Sequence, residues 1–319
     1  MEIIKIHHPY DPTEIIQEDI VLILGFFDGI HKGHQKVIET GVRIAKERGI
    51  KSALMTFNRH PAFVYKKFDP EYHSYLTTME RKELLIAELG VDILYEVEFT
   101  SSFGSLPPQE FVDQYIVGWH AKAVVAGFDY TYGKADIANM DNLNEYAKNR
   151  FDIFKVEKQD DSNQKISSSR IRQAILDGKL AKANELLGYL YETSGFVIHG
   201  DARGRTLGYP TANILSDPDV FMPKIGVYAV KMLVNNNWYD GMASIGYNPT
   251  FGYRKNLSVE VHLFDFKKEI YGENVRIKWV KYLRDEIRYD SIEALIKQLR
   301  QDEIESREVI AKVKINQIL

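Results

Sequence analysis

The chain has 319 residues, a length that suggests two domains, and its make-up of 45% apolar, 27% charged and 12% aromatic residues excludes a disordered chain or a collagen-like repeat. With 41 Lys+Arg against 45 Asp+Glu the formal charge is −4, which argues against a nucleic-acid backbone as the partner, because such binding needs an excess of cations. Cysteine is absent, which excludes disulfides, thiolate metal sites and Cys nucleophiles and points to a reducing compartment. The longest apolar run, Ile20–Leu24 with Phe26 and Phe27 beyond it, falls far short of the roughly 20 residues of a membrane span, and MEIIKIHHPY lacks the features of an export signal. The cytoplasm is therefore the expected location, with no membrane partner.

From residue 20 to about 157, β-branched runs alternate with stretches of helical period. Strands are expected at Ile20–Leu24, Ser52–Phe57, Asp92–Val97, Lys122–Ala126 and Asp152–Val156. Between the first two, His34–Arg48 places Val37, Ile38, Gly41, Ile44 and Ala45 on one helical face, with Gly49 as a stop; Met79–Leu89, Pro108–Val117 and Asn142–Asn149 read similarly. Strand–helix alternation of this length predicts a doubly wound parallel sheet, with any chemistry at the strand-to-helix turns. Ser167–Leu187 reads as two short helices hinged at Gly178, closing a first domain of residues 1–187. Beyond it, Gly195–His199, Val227–Val234, Trp238–Ile245, Leu257–Phe264 and Val275–Tyr282 are separated by turns such as Asn248-Pro249, which predicts a small antiparallel β-barrel over residues 188–319 with one terminal helix near Ser291–Glu305.

The first strand runs into Gly25-Phe26-Phe27-Asp28-Gly29-Ile30-His31-Lys32-Gly33-His34, so two imidazoles stand three residues apart where a helix begins. A helix N-terminus offers unpaired N–H groups to an anion, and His31 and His34 would complete a phosphate cradle suited to nucleotidyl transfer, a reaction catalysed mainly by positioning and electrostatic stabilisation. Ile166–Arg172, with Ser168, Ser169 and Arg172, is a second grip for phosphates, and Gly127–Gly133 brings Asp129 to the same sheet edge. In the second half Gly200–Asn213 is a glycine-rich loop with arginines, distinct from a P-loop because no GxxxxGK[ST] occurs. Thr211 and Asn213 lie two apart, on one side of an extended segment, and suit a magnesium ion shared with a nucleotide phosphate. Glu260 alternates with apolar Val259 and Val261, so it should point away from the core, where a fixed carboxylate is either a general base for a hydroxyl or a solvated strand residue.

Together these stretches resemble the bifunctional riboflavin kinase/FAD synthetase family of bacteria, over nearly the whole chain: GFFDGIHKGHQKVI, TFNRHP, LTTMERKELL, ISSSRIR, GRTLGYPTAN, KIGVYAV, NPTFG, VEVHLFDF and YLRDEIRYDSIEAL stand in order. The resemblance implies that riboflavin is phosphorylated by ATP to FMN in the carboxy-terminal barrel and that FMN is adenylylated by a second ATP to FAD in the amino-terminal sheet, both with Mg2+. It implies that His31 and His34 stabilise the adenylyl transition state and that Gly25, Phe27, Asp28, Gly33, Asp129, Ser168, Ser169 and Arg172 serve ATP there. In the barrel it implies ATP at Gly208 and Thr211, the metal at Thr211 and Asn213, and Glu260 as base. Asn58 and Arg284 fall on the flavin side. TFNRHP departs from the family pattern at Asn58-Arg59, where an acid and a proline are usual, and Phe128 stands where a polar residue is. Rival readings are a family member with one step active, a His-x-Gly-His transferase for another phosphate, which leaves the barrel unexplained, an aminoacyl-tRNA synthetase, which lacks Lys-Met-Ser-Lys-Ser, and a non-catalytic flavin or nucleotide regulator. No oligomeric state follows from the sequence.

Overall fold

The computed structural model describes residues 1–67, 74–161, 164–200, 203–247 and 257–313. Asp201 and Ala202 of the glycine-rich loop, the Asn248-Pro249 turn and the rest of NPTFG lie outside them. The chain forms two compact units, Met1–Ser167 and Ser168–Leu319.

In the first unit β1 (Glu2–Ile6), β2 (Ile20–Leu24), β3 (Lys51–Phe57), β4 (Ile93–Val97), β5 (Ala121–Gly127) and β6 (Asp152–Val156) make one parallel sheet in the order β1-β4-β3-β2-β5-β6. Every residue of β2 is buried, as a central strand covered on both faces requires. The connecting helices are α1 (Lys32–Arg48), α2 (Ala62–Tyr65), α3 (Met79–Glu88), α4 (Ser101–Gly104), α5 (Pro108–Phe111), which runs into a π-helical turn at Val112–Val117, and α6 (Leu143–Ala147). The stripe expected on α1 is the buried one, and Gly49 ends the helix at φ 66°, a left-handed conformation that glycine adopts without steric cost. The chain builds outward from β2 through β3 to β4, then returns to lay β5 on the other flank of β2. The carboxyl ends of β2 and β5 therefore flank the switch point where such sheets bind ligands. A short hairpin, β7 (Asp160–Asp161) and β8 (Gln164–Lys165), ends the unit.

The second unit begins with α7 (Ser168–Leu176) and α8 (Leu180–Leu187). Both helices fall in the second compact unit, while the sequence expectation runs the first domain to residue 187. Buried Asn184 gives the reason: its Oδ1 accepts the Tyr191 N–H at 2.7 Å and its amide donates to the Trp279 carbonyl at 3.1 Å, fastening α8 to the strands that follow. Then come β9 (Glu192–Ile198), α9 (Arg203–Thr206), β10 (Ala212–Ser216), β11 (Gly226–Val234), β12 (Asn237–Tyr247), β13 (Leu257–Leu263), β14 (Asn274–Arg284) and α10 (Ile292–Ala311). The six strands close into an antiparallel barrel, β10-β13-β12-β11-β14-β9. Along β13, Val259, Val261 and Leu263 fill the interior while Ser258, Glu260 and His262 alternate outward. Helix α10 covers part of the outer wall, where Met242, Phe264, Val280 and Ile310 form a second apolar layer.

Candidate active sites

In the first unit the chain leaves β2 through a strained turn. Phe27 adopts φ 56° and Ile30 φ 32°, both in the region that favours glycine, and both side chains are buried. The Phe27 ring folds back over Gly25, where a Cβ would stand 2.5 Å from its Cζ, so only glycine admits that ring. Asp28 is 4% exposed and accepts the backbone N–H groups of Leu76, at 2.9 Å, and Thr77, at 3.3 Å. Its carboxylate is thereby turned inward as a brace for the loop.

His31 is the N-cap of α1, and its Nδ1 accepts the His34 N–H at 3.2 Å. In the neutral ring the proton then sits on Nε2. The two imidazoles stack with centroids 3.6 Å apart, and Phe27 abuts His34 edge-on at 5.4 Å. Burial drives His31 down to about 4, with Lys165 lowering it further and Asp129 opposing. His34 keeps a partly exposed edge, but its Nδ1 is buried with no hydrogen-bond partner among the described residues. Burial first, then His31, Lys82 and Lys165, hold it well below the usual imidazole range. Both rings are neutral N–H donors at pH 7.

Two cations at this site were not singled out from the sequence. Lys165 pairs with exposed Asp129 and lies 4.7 Å from the centroid of the Phe128 ring. Lys82, 3% exposed on α3, donates to the Phe26 carbonyl at 2.9 Å. A signal was available for Lys82, since it falls on the buried stripe of α3 with Leu85 and Ile86. Lys165 sits in a polar stretch with none. Asn58 uses its carboxamide oxygen to accept the Phe99 N–H at 3.1 Å, so it organises the ends of β3 and β4. The first unit ends beside the histidines: a Cβ on Gly33 would stand 3.1 Å from the His31 ring and 3.9 Å from the Ile166 carbonyl. Ser168, Ser169 and Arg172 follow in the first turns of α7; Ser169 is exposed, Ser168 and Arg172 half-buried, and the Arg172 guanidinium lies 5.6 Å from the centroid of the Phe221 ring.

In the barrel, Asn213, Glu260 and Ser244 are register partners across β10, β13 and β12 and so share one face. Thr211, just before β10, donates its hydroxyl to Glu260 Oε2 at 3.2 Å. Gly200 leaves room for the Asn213 carboxamide, which occupies the place a Cβ would take. Thr211 also lines two cavities. One of about 290 Å³, between α10 and the outer wall, is lined by Leu207, Met242, Glu260, Ile287, Leu295 and Leu299. The other, of about 440 Å³, carries Arg205, Lys267, Lys268 and Tyr271. Arg284 borders the first, but its guanidinium forks onto Asp302, with contacts of 3.0, 3.2 and 2.6 Å, and Asp302 is 2% exposed. Gly208, at φ 80°, makes the turn after α9.

A stacked histidine pair at a helix start, on the switch point of a parallel sheet, joined to a barrel whose Thr211 lines two cavities and bonds the carboxylate of Glu260, defines a two-site phosphotransfer enzyme. Comparison narrows the class. The family model described as FAD synthetase matches residues 13–170, and that described as riboflavin kinase matches residues 187–310. The bifunctional riboflavin kinase/FMN adenylyltransferase of Listeria monocytogenes is 49% identical, over 98% of this chain and 100% of that relative; that of Bacillus subtilis is 44% identical, over 96% and 97%. A crystal structure from Streptococcus pneumoniae, described as a macrolide-efflux protein, superposes with a TM-score of 0.88 at 40% identity, covering 95% of this chain and 99% of that one. Among the described residues of this chain no helix is long and apolar enough to cross a membrane. The chain belongs to the bifunctional riboflavin kinase/FMN adenylyltransferase family.

Proposed function

We propose that the two activities of the family are divided between the two units: ATP-dependent phosphorylation of riboflavin to FMN in the barrel, and adenylylation of FMN to FAD with release of pyrophosphate at the parallel sheet. The order of the two matched family models along the chain supports this division. The observation that carries it is the stacked His31–His34 pair at the start of α1.

At the sheet, an FMN phosphate oxygen attacks the α-phosphorus of ATP and the bond to the β-phosphate breaks. His31, through Nε2–H, and His34 donate hydrogen bonds to the phosphoryl oxygens on which charge grows, together with the unpaired N–H groups of α1. Gly25, Phe27 and Gly33 bring backbone close to the phosphates, and Asp28 holds the loop in place. Lys165 and Asp129 serve the polyphosphate, and Asn58 frames the flavin side.

In the barrel, Glu260 takes the proton of the riboflavin 5′-hydroxyl as its oxygen attacks the γ-phosphorus of ATP, the bond from that phosphorus to the β,γ-bridging oxygen breaks and ADP leaves. The leucine-lined cavity suits the isoalloxazine ring, and the one bearing Arg205, Lys267 and Lys268 suits a triphosphate; Thr211 stands at both. Gly208 shapes the ATP side, and Arg284 shapes the flavin side through its hold on Asp302. Thr211 and Asn213 offer hard oxygen donors but too few to enclose an ion, which fits magnesium completed by phosphate oxygens and water. Bound there, the metal would screen the phosphate charge. No group of three or more His, Cys, Asp or Glu side chains among the described residues is placed to hold a metal alone. The cytoplasm, with riboflavin, FMN and ATP as small-molecule partners, completes the reading.

Chromatography of products tests it. With riboflavin, ATP and magnesium the native chain should yield FMN and then FAD; His34→Ala should stop at FMN, and Glu260→Gln should make FAD only when FMN is supplied. His34→Ala within about tenfold of the native FAD rate, about 1.4 kcal/mol of barrier, would remove the role given to the imidazoles.

A further inference from the structure

We propose that Lys82 is a positioning residue for the adenylyl-transfer step, clamping through the Phe26 carbonyl the turn that carries the two imidazoles. The inference rests on the assignment of that step to His31 and His34.

Lys82 reaches the site from α3. Its ammonium donates to the Phe26 carbonyl at 2.9 Å, lies 3.4 Å from Thr56 Oγ1 and sits 4.5 Å from the centroid of the Phe26 ring. Thr56 Oγ1 itself donates to the same carbonyl at 2.9 Å. Two buried donors from different elements thus converge on one peptide, the one that leads into the left-handed Phe27. Neither acceptor of Lys82 is a carboxylate, which is unusual for a buried ammonium, because desolvation is normally offset by a directly bonded acid. A methionine or leucine would fill the space on the apolar stripe at no electrostatic cost, so the charge needs a reason. The strained turn supplies one: the Phe26 peptide must be held against relaxation for His31 and His34 to stand at the start of α1.

The charge acts on the imidazoles as well. His34 faces His31, Lys82 and Lys165, all of which disfavour its protonation, and Lys82 in turn faces Asp28 and Glu96. Burial brings Lys82 down to about 8, so it starts to lose its proton just above neutrality. An arginine stays charged throughout that range.

The test uses the full chain with Lys82→Met and Lys82→Arg, measuring FAD formation from FMN and, in the same samples, riboflavin phosphorylation as a check of folding. Lys82→Met should lower kcat for FAD formation between about 10-fold and 100-fold, with KM for FMN and ATP within about threefold and riboflavin phosphorylation within about twofold of native. Lys82→Arg should recover most of the rate and abolish a decline in native activity above about pH 8, a change that mere packing would not produce. A Lys82→Met kcat within about threefold of native, or an alkaline decline that persists unchanged in Lys82→Arg, overturns the proposal. If Lys82→Met also loses riboflavin phosphorylation, Thr56→Val decides the matter, since it removes the other donor to the Phe26 carbonyl: a fall of at least about fivefold in FAD formation supports the clamp and an unchanged rate refutes it. His34→Ala run alongside separates the two levels. If it forms FAD at the native rate, the assignment of the imidazoles has failed; if it is inactive while Lys82→Met is not, the clamp alone has failed.

Discussion

His31 meets two demands with one ring. Its Nδ1 caps α1 by accepting the His34 N–H, and its burial keeps the ring neutral, so Nε2 carries the proton that the proposed transfer step calls on. The sign of the pH effect follows. The folded chain takes up the His31 proton only near pH 4, whereas an unfolded chain takes it up near 6.5, so the unfolded state binds more protons between those limits and stability falls as the pH drops through them. His31→Asn keeps a capping acceptor and removes the titration. Denaturant unfolding of the first unit at pH 7 and pH 5 should therefore show an acid loss about 2 kcal/mol smaller in that variant than in the native chain. An unchanged acid loss would mean that the ring is not buried as described. This pair was legible because spacing, a preceding strand and a helix start coincide in a dozen residues. Lys165 was not, because a lysine in a polar hairpin reads as solvated unless its neighbours' burial is known, whereas Lys82 had a signal in its place on the apolar stripe of α3. The direction of a carboxylate is equally hidden: nothing in the local sequence of Asp28 says that its oxygens turn toward residues 76 and 77.

The parallel sheet and the barrel were legible at the scale of the element, since continuous β-branched runs mark β2 and β5 and alternation marks β13. The edge strand β1 was missed because its pattern is mostly exposed and its partner, β4, lies some 90 positions away. For α7 and α8 the limit is related: helical period shows that a face is buried, not against which element. Helix α10 offers a prediction of its own. Asp302 accepts the fork of Arg284 from β14 and a hydrogen bond from Gln298 at 2.9 Å, and it is almost wholly buried. Asp302→Ala leaves the guanidinium without its counter-charge, a change that costs about 3–5 kcal/mol where such pairs are buried. Thermal unfolding of the second unit should move down by several degrees, and KM for riboflavin should rise because Leu295 and Leu299, which line the cavity, ride on the same helix. FAD formation from supplied FMN should stay as it was.

For the molecule as a whole, the residues given to each step form two constellations, one around α1 and one across β10, β13 and β12. Neither variant that silences one should silence the other. Mixing His34→Ala chains with Glu260→Gln chains should restore conversion of riboflavin to FAD, read as FAD by chromatography after FMN has passed through solution. No FAD in the mixture would mean that both steps need one intact polypeptide. The two architectures also differ at their borders. A closed ring of strands presents no unpaired rim, whereas the open sheet ends at β1 and β6, each bonded along one side only. Those borders carry Glu2, Lys5, Asp152 and Lys155, charges of the kind that discourage another chain from adding itself in register. Self-association into fibrous deposits, should the protein be partly unfolded, would therefore start at the flanks of the sheet, and neutralising those four side chains is the change that would invite it.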